Sequence, residues 1–284
     1  MIAIFKREWK AYFQNIIGWL FIAAIIALYG LYFLVYNLRS GYPYISYPLS
    51  SIAFILLLAV PVLTMRSLAE ERHSRTDQLV LTAPISVGKL VLGKFLAMAA
   101  IFSVAMAVIC ISPLILSAYG TVPMGESYVA ILGFWLYGLA CIAVGMFLSS
   151  ITESQVIAAV LTFAALFVAY MMSGICNLIS SSGNLLTKIL GAYDFYTPLD
   201  GFMSGCLDVT SLVYFVTVIG MALFLCCQSI QKRRYSVSAK KLTMGMFSAG
   251  MIVAGFVVAV GVNLVVRELP TEWTSIDATS TKLY

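Results

Sequence analysis

The chain has 284 residues, of which 62% are hydrophobic and only 10% are Asp, Glu, Lys or Arg. A soluble domain carries about 25% charged residues, so this composition, with a mean hydropathy of +0.99, excludes an ordinary water-soluble globule and places most of the chain in lipid. The net charge is +5, and in such a protein its distribution along the chain decides more than its sum.

Residues 1–15 read as an amphipathic helix on the membrane surface. Ile2, Phe5, Trp9, Tyr12, Phe13 and Ile16 recur at intervals of three or four, while Lys6, Arg7, Lys10 and Gln14 take the other face. Such a helix buries its aromatic side at the headgroups and offers its basic side to anionic lipid. Phe5, Lys6, Arg7, Trp9 and Lys10 are therefore the candidate membrane-surface residues. The alternative is a plain extension of the first span. A cleavable signal is not expected, because no small-x-small site follows the apolar run.

A spanning helix needs about 20 apolar residues. Seven segments qualify: 16–37, 49–65, 90–118, 128–149, 154–175, 209–230 and 243–266. The second is short, and Pro61 is expected to kink its lower end. The third is long enough to tilt, or to break near Pro113. With the N-terminus in the cytoplasm, the inside segments 1–15, 66–94, 150–153 and 231–241 hold most of the basic residues. These are Lys6, Arg7, Lys10, Arg66, Arg72, Arg75, Lys89, Lys94, Lys232, Arg233, Arg234, Lys240 and Lys241, and only Arg39, Lys188, Arg267 and Lys282 fall outside. The positive-inside rule selects this topology. The outer loop 38–48 carries Tyr42, Tyr44 and Tyr47, suited to the interfacial aromatic belt.

No ionisable residue lies in the middle of any predicted span; Lys94, Glu153 and Asp208 sit at span ends, and the one histidine, His73, is in an inside segment. Ion-coupled transporters place ionisable groups near the midplane, so this pattern argues against a self-powered transporter and against intramembrane catalysis. The six cysteines show no metal-type spacing. Cys176 and Cys206 could both face the outside, where neither spacing nor context demands a bridge over two free thiols. Pairs such as Gly250-x-x-x-Ala254 and Gly255-x-x-x-Ala259 are read as generic helix packing.

Gly88-x-x-x-x-Gly93-Lys94 has most of the spacing of a P-loop. The magnesium-binding Ser or Thr is replaced by Phe95, no strand precedes the motif, and an apolar run follows it. The segment is instead the foot of the third span, with Lys89 and Lys94 expected to anchor at the headgroups. Just upstream, residues 66–83 are polar and helix-compatible, with Glu71 and Arg75 at pairing distance and Pro84 as a stop. On these residues alone, a helix that docks in a partner and a solvated loop are equally open.

The run PVLTMRSLAEERHSRTDQLVLTAPIS resembles the end of the second span and the coupling segment of ABC-2 type permeases, the membrane subunits of ABC exporters. Pro61, Met65, Arg66, Ala69, Glu70, Glu71, Arg72, Thr76, Leu79, Leu81, Thr82, Pro84 and Ser86 fit the family pattern, and Arg75 stands where Gly is common. Two later stretches agree: SSITESQVIAAVLTF, with Glu153 and Gln155, and GFMSGCLDVTSLVYF, with Gly205, Asp208, Tyr214 and Phe215. The form Thr76-Asp77-Gln78-Leu79 resembles the gliding-motility-associated (GldF-like) branch. The family has six spans, so the resemblance implies an all-α integral membrane protein: an interfacial helix at 1–15, a six-span permease at 16–230 with a coupling segment at 66–86, and a basic linker at 231–242. The extra span at 243–266 leads into a tail, 267–284, where Trp273, Asp277, Thr279, Lys282 and Tyr284 resemble the first extracytoplasmic strand of the GldG-like partner subunit. It is read as the opening of that subunit, fused to the permease or left by a chain that ends early.

The resemblance further implies a non-enzymatic permease subunit in a bacterial cytoplasmic membrane, working with a second permease copy or paralogue and with cytoplasmic ABC ATPases. ATP and magnesium would be bound by the ATPase, no cofactor by this chain, and no nucleic acid is expected. Glu71, Arg72, Thr76, Leu79 and Pro84 are the candidate ATPase-docking residues, with Glu153 and Gln155 as a second contact. Two rivals remain open: a mechanotransmission complex that drives an extracytoplasmic domain without transport, and a channel or membrane enzyme without an ATPase.

Overall fold

A computed structural model describes residues 2–73, 86–179, 191–234, 241–267 and 275–277. Helix α1 spans Ile2–Gln14, and α2 spans Ile16–Phe33 and continues as a π-helical turn over Leu34–Arg39. Then come α3 (Ser46–His73), α4 (Val87–Ile109), the short α5 (Ser112–Ser117), α6 (Met124–Ile151) and α7 (Gln155–Ile179). After a 3-10 turn at Gly191–Tyr193 follow α8 (Tyr196–Met203), β1 (Cys206–Asp208), α9 (Val209–Arg234), α10 (Lys241–Arg267) and β2 (Ser275–Asp277). Six described helices are long and apolar enough to cross a membrane: Ile16–Arg39, Ser46–Arg72, Val87–Ser117, Met124–Ile151, Gln155–Cys176 and Val209–Lys232. Among the described residues of α10, Gly250–Val266 is apolar as well. Six of the seven expected spans are thus matched among the described residues, and the seventh, 243–266, falls within α10.

Two boundaries changed character. Pro61 lies inside α3, and the helix runs on without ending to His73, so the polar stretch from Arg66 is the tail of the span itself. Proline removes one backbone donor, but with no water to take over the remaining backbone hydrogen bonds, breaking the helix in lipid would cost more than the one bond lost. The third span does break: α4 ends at Ile109, and α5 restarts with Pro113 in its first turn, where a missing N–H matters least.

Helix α6 is the centre of the bundle, with α3, α4, α7, α8 and α9 packed around it. Small residues make this possible. A side chain at Gly133 would run into the Phe202 ring of α8, and one at Gly138 into the Phe102 ring of α4. Around them Phe134, Tyr137, Phe195, Phe202 and Phe215 form a fully buried aromatic cluster with neighbouring ring centroids 6.3–6.4 Å apart. Asp194 and Asp208 cap helices. Asp194 accepts from the Tyr196 N–H (3.0 Å) at the start of α8, and Asp208 from the Thr210 N–H (3.0 Å) at the start of α9. Tyr42, Tyr44 and Tyr47 are exposed, with the Tyr47 ring touching the other two, while buried Asn37 donates to the carbonyls of Tyr42 and Tyr44.

Helix α10 lies against α9. Gly255 faces Phe224 and Met221, whereas Gly250 faces open space, so only one of the two small-residue pairs marks a seam. Asn263 adds a polar link, donating to Thr217 Oγ1 on α9 at 2.9 Å and back to the Ala259 carbonyl. Asn263→Leu is expected to weaken the α9–α10 contact by about 0.6 kcal/mol, the mean for such bonds between membrane helices. A double-mutant cycle with Thr217→Val, read by unfolding in detergent, would show additive losses if the bond contributes nothing. Beyond α10, β2 pairs antiparallel with β1, Leu207 opposite Ile276.

Candidate functional site

Among the described residues, charged side chains at the basic end of the bundle form two clusters on the tail of α3. The first gathers around Lys94 in α4. Its side chain is only 2% exposed, and its ammonium donates to Glu71 Oε1 (2.8 Å), the Ser67 carbonyl (3.0 Å) and Glu8 Oε1 (3.3 Å). Three donors therefore meet three acceptors on two other helices, which is what an ammonium needs once water is removed. Arg7 closes the cluster from the rim, reaching Glu8 at 2.9 Å and Glu71 at 3.3 Å. Its hydrogen bond to Glu8, joined by the charges of Glu8 and Glu71, holds the guanidinium above its usual pKa. Two acids face two bases, so the cluster is neutral and burial is tolerable.

A cleft of about 310 Å³ opens over this cluster between α1, α3 and the foot of α4, lined by Arg7, Glu8, Tyr12, Asn15, Arg66, Glu70, Glu71 and Lys94. Burial, aided by the charges of Glu8 and Glu71, pushes the Tyr12 phenol up, so it stays a neutral hydroxyl. On the rim Arg66 and Glu70 form an i, i+4 pair at 3.9 Å.

The second cluster joins α3 to the end of α6. Arg72 donates to the carbonyls of Ser150 and Ile151 and to Glu153 Oε1 at 2.9 Å. A helix C-terminus leaves carbonyls unpaired and carries partial negative charge, so a guanidinium there satisfies both. One turn deeper, the buried Ser149 hydroxyl accepts from the Leu68 and Ala69 N–H groups at 3.3 and 3.1 Å and lies 3.3 Å from the Met65 carbonyl, to which it donates. Ser229 of α9 also donates to the Ser150 carbonyl.

Of the residues singled out in the sequence, Glu71 and Arg72 are tied inward, with side chains 19% and 14% exposed, while Glu153 is 77% exposed on the turn between α6 and α7. Gln155 is the first residue of α7. Thr76, Leu79 and Pro84 lie outside the described residues, as does Arg75, the expected partner of Glu71. On α1, Lys6, Arg7 and Lys10 are exposed, and Phe5 and Trp9 are half-buried in an aromatic ladder that runs on to Phe13 and Trp19. Lys94 does not anchor at the headgroups as expected; it turns inward, and of the two foot lysines only Lys89 is exposed. Sequence reading missed Glu8, Ser67 and Ser149. The one available signal was Glu8 itself, an acid set among Lys6, Arg7 and Lys10 where a purely lipid-facing helix would carry none.

The model of a family described as ABC-2 family transporter protein matches residues 35–230, from the π-helical turn after α2 to near the end of α9. A search of curated proteins returned no match. The matched region holds four of the six candidate spans in full and all but two residues of the last, and it covers most of the chain, leaving α1, α2 and α10 outside it. This chain belongs to the ABC-2 transporter family, as a multi-pass membrane permease component of an ABC transporter.

Proposed function

We propose that the chain couples ATP hydrolysis in a separate cytoplasmic ATPase to movement of a substrate across a bacterial cytoplasmic membrane, as one of a pair of permeases. In this reading the N-terminus and the basic end are cytoplasmic, and the direction is export. The ATPase docks on the segment 66–86, with Glu153 and Gln155 as its second contact. When the ATPases close on ATP, the segment moves and the spans switch between inward and outward access.

The observation that carries this reading is the Arg72–Glu153 pair, which joins the two proposed docking stretches at 2.9 Å. A force on the segment after His73 enters α3, a continuous helix of 28 residues, and passes through Arg72 and Ser149 to α6 and through Glu71 to α4 and α1. Glu71 and Arg72 then transmit motion more than they touch the ATPase, and exposed Glu153 makes the direct contact. Coupling between sites is commonly worth 5–150-fold. Arg72→Ala is accordingly expected to lower ATP turnover of the co-purified complex about tenfold while the ATPase still binds. Absence of any co-purifying ATPase, or unchanged turnover in both Arg72→Ala and Glu153→Ala, would sink the reading.

A second reading has an observation of its own. β2, beyond α10, pairs with β1 at the start of α9, so motion of α9 is passed directly to whatever follows the sheet. This favours a mechanotransmission complex, in which the segment beyond α10 opens a GldG-like extracytoplasmic domain, as in the gliding-motility-associated branch. Nucleotide-driven change in the spacing of β2 and β1 without substrate uptake into vesicles would favour it over transport.

A further inference from the structure

An apolar groove of about 690 Å³ lies on the opposite side of α1 from the charged cleft. Ile2, Phe5 and Trp9 form one wall, α4 the other, and Trp135 of α6 stands at its back with its indole N–H donating to Ser103 at 2.9 Å. On α4 the lining runs from Leu96 to Ala107, and Ala99, Ala100, Ser103 and Ala107 keep the trough open. We propose that this groove is a binding site for one acyl chain of an anionic phospholipid from the leaflet on the basic side.

Length, volume and charge together choose this occupant. At 1.5 Å per residue, Leu96 to Ala107 measures about 16 Å, close to half of a hydrocarbon core of roughly 30 Å, which is the reach of a chain from one leaflet. The volume lies in the usual range of about 300–1,000 Å³ for a ligand pocket. Basic residues neighbour the lining along the chain: Lys6 and Lys10, each the next residue after a groove-lining aromatic, are exposed, and so is Lys89 on the first turn of α4, seven residues before Leu96. A headgroup held there meets positive charge while its chain runs along the alanines. A second copy of this chain would press a helix into the groove and leave those lysines facing its own basic end, which the charges oppose. The proposal requires only a membrane-spanning bundle, so its failure would leave the ATP-coupling reading untouched.

The test uses the full chain, delipidated in detergent, with Trp9, Trp19 and Trp273 changed to Phe so that Trp135 alone reports. Phosphatidylglycerol and phosphatidylcholine carrying brominated chains are titrated in, and quenching of Trp135 is followed. Phosphatidylglycerol is expected to quench saturably and with higher apparent affinity. Each lysine near an anionic surface contributes about 1 kcal/mol, or about fivefold, so Lys6→Gln with Lys10→Gln should erase the preference. Ala107→Phe, which fills the deep end, should reduce quenching by both lipids. Equal, unsaturable quenching by the two lipids overturns the proposal. So does protection of Trp135 that rises with protein concentration, the signature of a second copy in the groove.

Discussion

Lys94→Met is expected to destabilise the folded chain by about 3–5 kcal/mol, the range for removing one partner of a buried ion cluster. The ammonium is 2% exposed, and without it Glu8 and Glu71, at 12% and 19%, would share one exposed cation, Arg7, in a site with little water. At about 2 °C or more per kcal/mol in a chain of this size, the melting temperature in detergent should fall by at least about 6 °C. The triple variant Lys94→Met, Glu8→Gln, Glu71→Gln should recover most of the loss, because its buried positions carry no charge and the remaining cation, Arg7, is exposed to water. That contrast separates an electrostatic cluster from simple loss of packing. If Lys94→Met melts with the unchanged protein, the cluster contributes nothing and α1 is not anchored by charge.

The second large effect belongs to the centre of the bundle. Gly138→Leu should cost about 3 kcal/mol or more, since its side chain would occupy the place of the Phe102 ring, itself fully buried. Phe102 cannot swing away: it packs against Phe134 and Phe21, at 6.2 and 6.5 Å between ring centroids. Gly250→Leu is the matched control, because nothing lies within 4 Å of an added carbon there, and it should stay within about 0.5 kcal/mol. Size-exclusion profiles after graded heating would rank the two. Equal losses would show that α6 has room to yield and that its glycines are incidental to the packing.

Membrane residence, the six candidate spans and the break at Pro113 were legible in the sequence because each depends on local quantities. A run of apolar residues must leave water wherever it sits, and a proline lacks its N–H in any surroundings. The ends of α2, α6 and α9 fall within a few residues of the expected ones for that reason. The aromatic periodicity of residues 2–13 likewise announced α1 before any neighbour was known.

What those residues do to one another was decided only by the fold. Lys94 reads in sequence as a surface anchor at the foot of a span; it becomes buried because α1 and α3 each bring a carboxylate to it, from positions 86 and 23 residues away in the chain. Arg72 and Glu153 stand in separate motifs and meet because α3 and α6 run side by side over their last turns. Pro61 could have ended a helix, and packing on both sides carried α3 through it. Hydrophobicity fixes which segments enter the membrane, but charge pairing and helix continuity depend on which helices become neighbours, and only the packed bundle specifies that.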